Sequence, residues 1–380
     1  MEPKRFVLDS LYKTHQAWFD CHVTSIRDVL HYYGTNISPY MCFGIGGGIN
    51  FNYIPVNVTV KCNNPPVKLP FWVIMGSNVT YVDICHEFNI TPHVYRFTNK
   101  DVAWEQTKKF IDNKQPVLID VVDLFLYKKE IGPLNDMPFL KNLFDQIQVP
   151  EFIDFITSGS KNLVIGYDDI KESAIIIYTI FLAPIEIPIS LLKKLRSEEK
   201  ACPPVFNETV VFDVPEKSLP IDYLITKGIT KCCLRMMDNN MYTQDTDGRK
   251  YSQGLKGIKQ FFSDLETMSD IIPDKDMLKK TFFVSSMLSR GFANRWGAYR
   301  FPFGKFLQES AKINGNKTFN SIGANYLGLS EKWTLLMDII GAKVLAENFD
   351  FVNDSDTKKL LQNIIDEEER NISLLYKEIQ

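Results

Sequence analysis

Asp20-Cys21-His22-Val23-Thr24-Ser25-Ile26-Arg27-Asp28-Val29-Leu30-His31-Tyr32-Tyr33-Gly34 is the run from which the rest of the chain can be read. Val23, Ile26, Leu30 and Tyr33 recur at helical spacing, Asp20 is a good N-cap and Gly34 a good stop. The pattern predicts an amphipathic helix with Cys21 in its first turn. Open N–H groups at a helix start stabilise a thiolate, so a thiol held there falls below its ordinary pKa of about 8.5. The competing reading is a half-buried cysteine that packs as a small apolar residue.

Forty-three basic and 46 acidic residues nearly cancel over 380 residues, and no basic run of the nucleic-acid type occurs. DNA and RNA are therefore poor candidates as partners. With 45% apolar and 23% charged residues, the composition is that of an ordinary globular chain, long enough for two lobes. Met1-Glu2-Pro3-Lys4-Arg5 lacks an apolar signal core. The most apolar run, Ala174 to Ala183, is too short to cross a bilayer, so no membrane attachment is expected. Seven scattered cysteines without a CxxC pair predict reduced thiols in a cytoplasm, and neither a disulfide framework nor a metal site. Asp245-Thr246-Asp247-Gly248 is a fragment of a calcium loop without its remaining ligands, and a turn is predicted there.

Outward from the first helix, the glycines of Phe43-Gly44-Ile45-Gly46-Gly47-Gly48 fit no phosphate-loop spacing and predict a tight backbone turn. A short helix is expected around Val82–Phe88, a strand at Thr91–Phe97 and an amphipathic helix over Asn99–Asn113. Buried strands follow at Pro116–Val122, Asn162–Asp169 and Ser173–Ile180, each rich in β-branched residues. From about Tyr251 the chain turns helical, with helices expected at Gly257–Leu265, Leu278–Leu288, Trp333–Ala346 and Asp356–Ile379. Helices followed by clustered strands and then a helical remainder predict an α+β chain of two parts, 1–205 and 206–380.

Three runs resemble one family. The first is DCHVTSIRDVLHYYGTNISPYMCFGIGGGINF, residues 20–51; the second is VIGYDD, residues 164–169. The third is Arg290-Gly291-Phe292-Ala293-Asn294-Arg295-Trp296-Gly297-Ala298-Tyr299-Arg300-Phe301, with Phe306-Leu307-Gln308-Glu309-Ser310 after it. They resemble the butirosin-type acyl transferase family with its BtrH-like N-terminal domain and helical C-terminal domain. Pro39 stands where the family pattern has Glu. The resemblance implies a papain-like cysteine-nucleophile lobe, akin to bacteriocin-processing peptidases, beside a helical lobe. It also implies thiotemplated acyl or aminoacyl transfer in nonribosomal peptide-type biosynthesis, similar to the amide synthase of closthioamide assembly. An acyl group would pass from an acyl- or peptidyl-carrier protein to Cys21 and then to a small amine. The only cofactor implied is the phosphopantetheine arm of that carrier.

A thiol of this class needs a base, and usually a third group to orient it. The resemblance puts a histidine at the opening of the strand ending in Gly166-Tyr167, but Ser160 and Asn162 stand there, and neither is a base at neutral pH. The third position falls near Tyr178 or Thr179. The five histidines, His15, His22, His31, His86 and His93, all lie early, and His22 diverges from Cys21 by about 100° on a helix. Gln16, five residues before Cys21, is a candidate oxyanion donor. Asp168-Asp169 reads as a turn rather than a carboxylate pair. Three readings stay open at this point. Cys21 is activated by the helix start alone, or Asn162 replaces a histidine and holds an acyl-enzyme, or the chain is a catalytically impaired pseudoenzyme that binds a carrier protein.

Overall fold

The computed structural model of the chain describes residues 4–18, 20–54, 58–60, 67–69, 72–77, 79–122, 159–179, 181–197, 205–217, 219–238, 242–244, 250–267, 270, 274–276, 278, 296–346, 348 and 354–380. The expected turn at Asp245–Gly248, residues 290–295 and most of the expected Leu278–Leu288 helix lie outside them. The chain runs β1 (Arg5–Val7), α1 (Asp9–Lys13), α2 (Cys21–Tyr32), α3 (Pro39–Ile45), β2 (Asn50–Ile54), β3 (Val58–Val60), β4 (Val67–Leu69) and β5 (Trp72–Gly76). There follow α4 (Tyr81–Glu87), β6 (Thr91–Tyr95), α5 (Lys100–Asp112), β7 (Val117–Val122), β8 (Gly159–Asp168), β9 (Ser173–Ile177), β10 (Ile185–Pro188), α6 (Ile189–Arg196) and β11 (Thr209–Asp213). Next come α7 (Ile221–Met237), β12 (Tyr242–Gln244), β13 (Lys250–Ser252), α8 (Gly254–Leu265), α9 (Arg300–Asn314), α10 (Lys317–Leu345) and α11 (Ser355–Ile379). Among the described residues no helix is long and apolar enough to cross a membrane.

These elements gather into two compact units, one of Met1–Pro39, Val60–Val67 and Asn89–Glu216, the other of Tyr40–Thr59, Lys68–Phe88 and Lys217–Gln380. Segments 40–59 and 68–88, early in the chain, therefore belong with the C-terminal helices. The first unit is built on an antiparallel sheet in the order β10-β9-β8-β7-β11-β6, with β1 beside the end of β8. Its central strands are the β-branched runs the sequence marks out, and both faces of β7 and β8 are buried. β9 stops at Ile177, short of the expected Ile180. There the carbonyl of Thr179 is taken by the Trp18 N–H at 2.8 Å, and Phe181 N–H turns back to the Tyr178 carbonyl at 2.9 Å.

Helix α2 forms where the apolar period predicts it. Asp20 caps it, its side chain accepting from Val23 N–H at 3.0 Å, and Gly34 ends it at φ +94°. Removing that cap by Asp20→Ala is expected to lower stability by about 1 kcal/mol, read as a shift of the denaturant midpoint at constant slope. Helix α5 likewise starts on Asn99, whose side chain accepts from the N–H groups of both Asp101 and Val102.

In the second unit α9 and α10 form an antiparallel pair, and α10 runs 29 residues where only Trp333–Ala346 was expected. Gly323, which reads as a helix breaker, instead admits the neighbouring helix. A Cβ there would stand 2.8 Å from the Gly304 carbonyl of α9, and one on Gly304 would stand 2.7 Å from the Gly323 carbonyl. Phe51, Phe261, Phe262 and Trp333 stack into an aromatic core between β2, α8 and α10. Beside it Arg300 and Glu368 are wholly buried and 2.7 Å apart.

Candidate active site

Cys21 opens α2 and is part-exposed. Among the other described cysteines, Cys42, Cys85, Cys232 and Cys233 are buried, and burial pushes the thiols of Cys85 and Cys232 up to about 12. Cys21 is the one described thiol that combines exposure with a helix start, the setting that favours a reactive thiolate.

The sheet beneath α2 has two faces, and the strand register decides which side chains meet the helix. Asn162 pairs with Ile119, and Ile119 with Thr209, so these three share a face. Thr209 Oγ1 accepts from Arg196 of α6 at 2.6 Å, and the same guanidinium donates to Thr107 of α5 at 3.0 Å. That face is thus covered by α5 and α6. Burial there pulls Arg196 down to about 10. The opposite face carries Leu118, Asp120, Lys161, Leu163 and Val210, and α2, which packs on β8, covers it. Ser25, one turn beyond Cys21 on the same side of α2, brings its Oγ to 3.5 Å from the Lys161 carbonyl.

This register corrects the expectation for Asn162. It is fully buried on the α5–α6 face, its Nδ2 donating to Ser160 Oγ at 2.8 Å and to the Ser160 carbonyl at 3.2 Å. The side chain turned toward α2 is its neighbour Lys161. Counting residues along a strand fixes alternation but not which set faces the helix, and the count chose the wrong set. Gln16, the expected oxyanion donor, is exposed on the segment joining α1 to α2.

Lys161 is the centre of a charged cluster. Its Nζ donates to Asp120 Oδ2 at 3.0 Å and to Glu208 Oε1 at 2.9 Å, and Arg96 Nε donates to Glu208 Oε2 at 3.2 Å. Burial pulls the Lys161 ammonium down, but the two carboxylates outweigh it and hold it above its usual range. Burial raises the Asp120 carboxyl, with Lys161 opposing. Burial likewise pushes Glu208 up, but Lys161 and Arg96 prevail and hold it low. Asp120 Oδ1 is covered and has no hydrogen-bond partner among the described residues.

The cluster and the helix start lie at one end of the sheet. Leu163 pairs with Ile177, the last residue of β9, and two residues beyond it the Thr179 carbonyl accepts from Trp18, three residues ahead of Cys21. The sequence carried one sign of this group, a lone Asp120 inside an otherwise apolar buried strand.

Four of the histidines have a ring nitrogen engaged elsewhere. His15 is buried, with Nδ1 2.6 Å from Asp28 and Nε2 2.8 Å from the Phe181 carbonyl, and Arg27 binds the other oxygen of Asp28 at 2.8 Å. His31 Nε2 meets Ile37 N–H at 2.9 Å, and burial, with Arg27 adding, lowers its pKa. His86 contacts Glu87, and His93 contacts Asp213. Asp168 does form the expected turn, its Oδ1 accepting from the N–H groups of Ile170 and Lys171 at 3.0 Å.

Residues 20–129, which hold the helix and its cysteine, match the N-terminal domain of butirosin biosynthesis protein H. Residues 190–375 match a second family model, a domain of unknown function that accompanies it here. The chain belongs to the butirosin biosynthesis protein H-like family. No curated protein matches it. Membership makes this chain one of an acyltransferase-like family of mixed helix and antiparallel sheet. It gives the capped helix start, and the part-exposed thiol on it, a chemical context.

Proposed function

We propose that the protein is a thiotemplated acyltransferase with a papain-like catalytic unit, forming an amide through an acyl-Cys21 thioester. The single observation that carries this reading is the part-exposed thiol at the first position of a capped helix in a member of an acyltransferase-like family. The donor is an acyl- or peptidyl-carrier protein, its phosphopantetheine thioester exchanging with the Cys21 thiolate, and the acceptor is a small amine. Thioester exchange is nearly balanced in bond type, whereas aminolysis of the acyl-cysteine is downhill and completes the transfer.

One observation favours a second reading, a carrier-binding protein without turnover: His15, His31, His86 and His93 each have a ring nitrogen engaged with a partner other than Cys21. Incubation with an acyl-pantetheine thioester, or with an acyl-carrier protein, tests both. An acyl mass increment on the peptide holding Cys21, released as an amide when amine is added, is the expected result. Carrier binding without any increment on the wild-type protein would leave only the binding reading.

A further inference from the structure

We infer that the Lys161 ammonium, held in place by Asp120 and Glu208, is the positive partner of the Cys21 thiolate, standing where a related enzyme would use imidazole. This inference deepens the proposed function and rests on Cys21 being the nucleophile. Three observations carry it. Lys161 lies on the sheet face that α2 covers, whereas Ser160 and Asn162 lie on the other. The Cys21 side of α2 is turned to the Lys161 backbone through Ser25. The chain just ahead of Cys21 is tied by Trp18 to Thr179, two residues past the end of β9, whose last residue pairs with Leu163 of β8.

The titratable groups around that ammonium are Asp120 on β7 and Glu208 ahead of β11, with Arg96 behind Glu208. On α2 they are Cys21 itself, flanked by Asp20 and His22, and further along the buried Arg27–Asp28 pair with His15. A cation with two carboxylates is fixed in position rather than free to swing, and the second carboxylate is offset by Arg96. The Cys21 proton leaves to solvent, and the thiolate attacks the donor carbonyl carbon as the donor sulfur departs as thiolate. An incoming amine adds to the acyl carbon of the new thioester, the bond from that carbon to Sγ breaks with its electron pair left on Sγ facing Lys161, and the surplus amine proton goes to solvent. An ammonium differs from imidazole in keeping its charge through neutral and mildly alkaline pH.

The test is the rate of Cys21 alkylation by iodoacetamide against pH, which needs no acyl donor. Wild type is expected to show one rising limb, that of the thiol, without loss of reactivity between about pH 6.5 and 9. Lys161→Met is expected to raise the thiol pKa by about one unit, slowing alkylation about tenfold on the limb below the wild-type midpoint, less at the midpoint itself, and catching up about two pH units above it. Lys161→Arg keeps the charge and stays within about threefold of wild type. If the methionine variant does not fold, Lys161→His serves. It should split the rise of alkylation into two limbs, because the imidazolium loses its charge near pH 6.5 and the remaining thiol then ionises only at higher pH. A folded Lys161→Met protein, or a Lys161→His protein, with the wild-type profile would overturn the inference. Failure of the proposed function reads differently: no acyl adduct from any thioester, with the alkylation profile unchanged.

Discussion

Arg300→Met is expected to lower the stability of the helical unit by about 3–5 kcal/mol, a drop of about 10 °C in its calorimetric transition. The reason is what the arginine leaves behind. Arg300 and Glu368 are both fully buried, and Nε donates to Glu368 Oε1 at 2.7 Å. Nη1 donates to the carbonyls of Ala298 at 2.7 Å and Asn50 at 3.1 Å, and the guanidinium lies 5.5 Å over the Trp333 ring. One side chain thus joins α9, β2, α10 and α11. Without it Glu368 keeps a single donor among the described residues, Trp333 Nε1 at 2.8 Å, for a fully buried charge. An uncompensated buried charge costs far more than the pair contributes, so the paired change Arg300→Met with Glu368→Leu should recover most of the loss. A double variant no more stable than Arg300→Met alone would mean that the lost contacts to Ala298, Asn50 and Trp333, rather than the stranded carboxylate, set the cost. The approach to Arg300 is itself strained: Gly297, Ala298 and Tyr299 have φ of +49°, +54° and +63°. Left-handed backbone costs roughly 1–2 kcal/mol at a residue with a side chain, so the buried pair also holds a turn that would otherwise relax.

That network shows where the sequence is legible and where it is not. The run around Trp296–Phe301 is conspicuous as a motif, but its partner Glu368 sits in the middle of α11 among Glu367, Glu369 and Arg370, where any one of the charges reads as a solvated face. Helix α2 could be read in full because cap, period and stop are all local. Helix α10 could not, since Gly323 is a breaker by propensity and a crossing point by packing, and only the neighbouring helix decides between them. The site divides in the same way. Cys21 was visible because helix starts are local features. Lys161, Asp120 and Glu208 come from three strand neighbourhoods, and the face they occupy depends on which helices cover the sheet, which no count along one strand contains.

Cys21→Ser is expected to cut acyl transfer to an amine by about 10²–10⁴-fold at pH 7. Loss of the nucleophile from a complete triad costs about 10⁶-fold. Imidazole base catalysis is worth ~10²–10⁴-fold in such an enzyme, and His15, His31, His86 and His93 are engaged with other groups here, so a smaller loss than in a complete triad is expected. A thiol suits this setting where a hydroxyl does not. A helix start favours an anion by up to ~2 kcal/mol, about 1.5 pKa units, which brings a thiol from about 8.5 to near 7. The same help leaves a serine hydroxyl protonated. Single-turnover aminolysis with acyl-pantetheine measures the difference, and carrier binding by the serine variant shows that the site is otherwise intact. A serine variant within about tenfold of wild type would mean that the acyl group never rests on this sulfur, and that the amine takes it directly from the carrier.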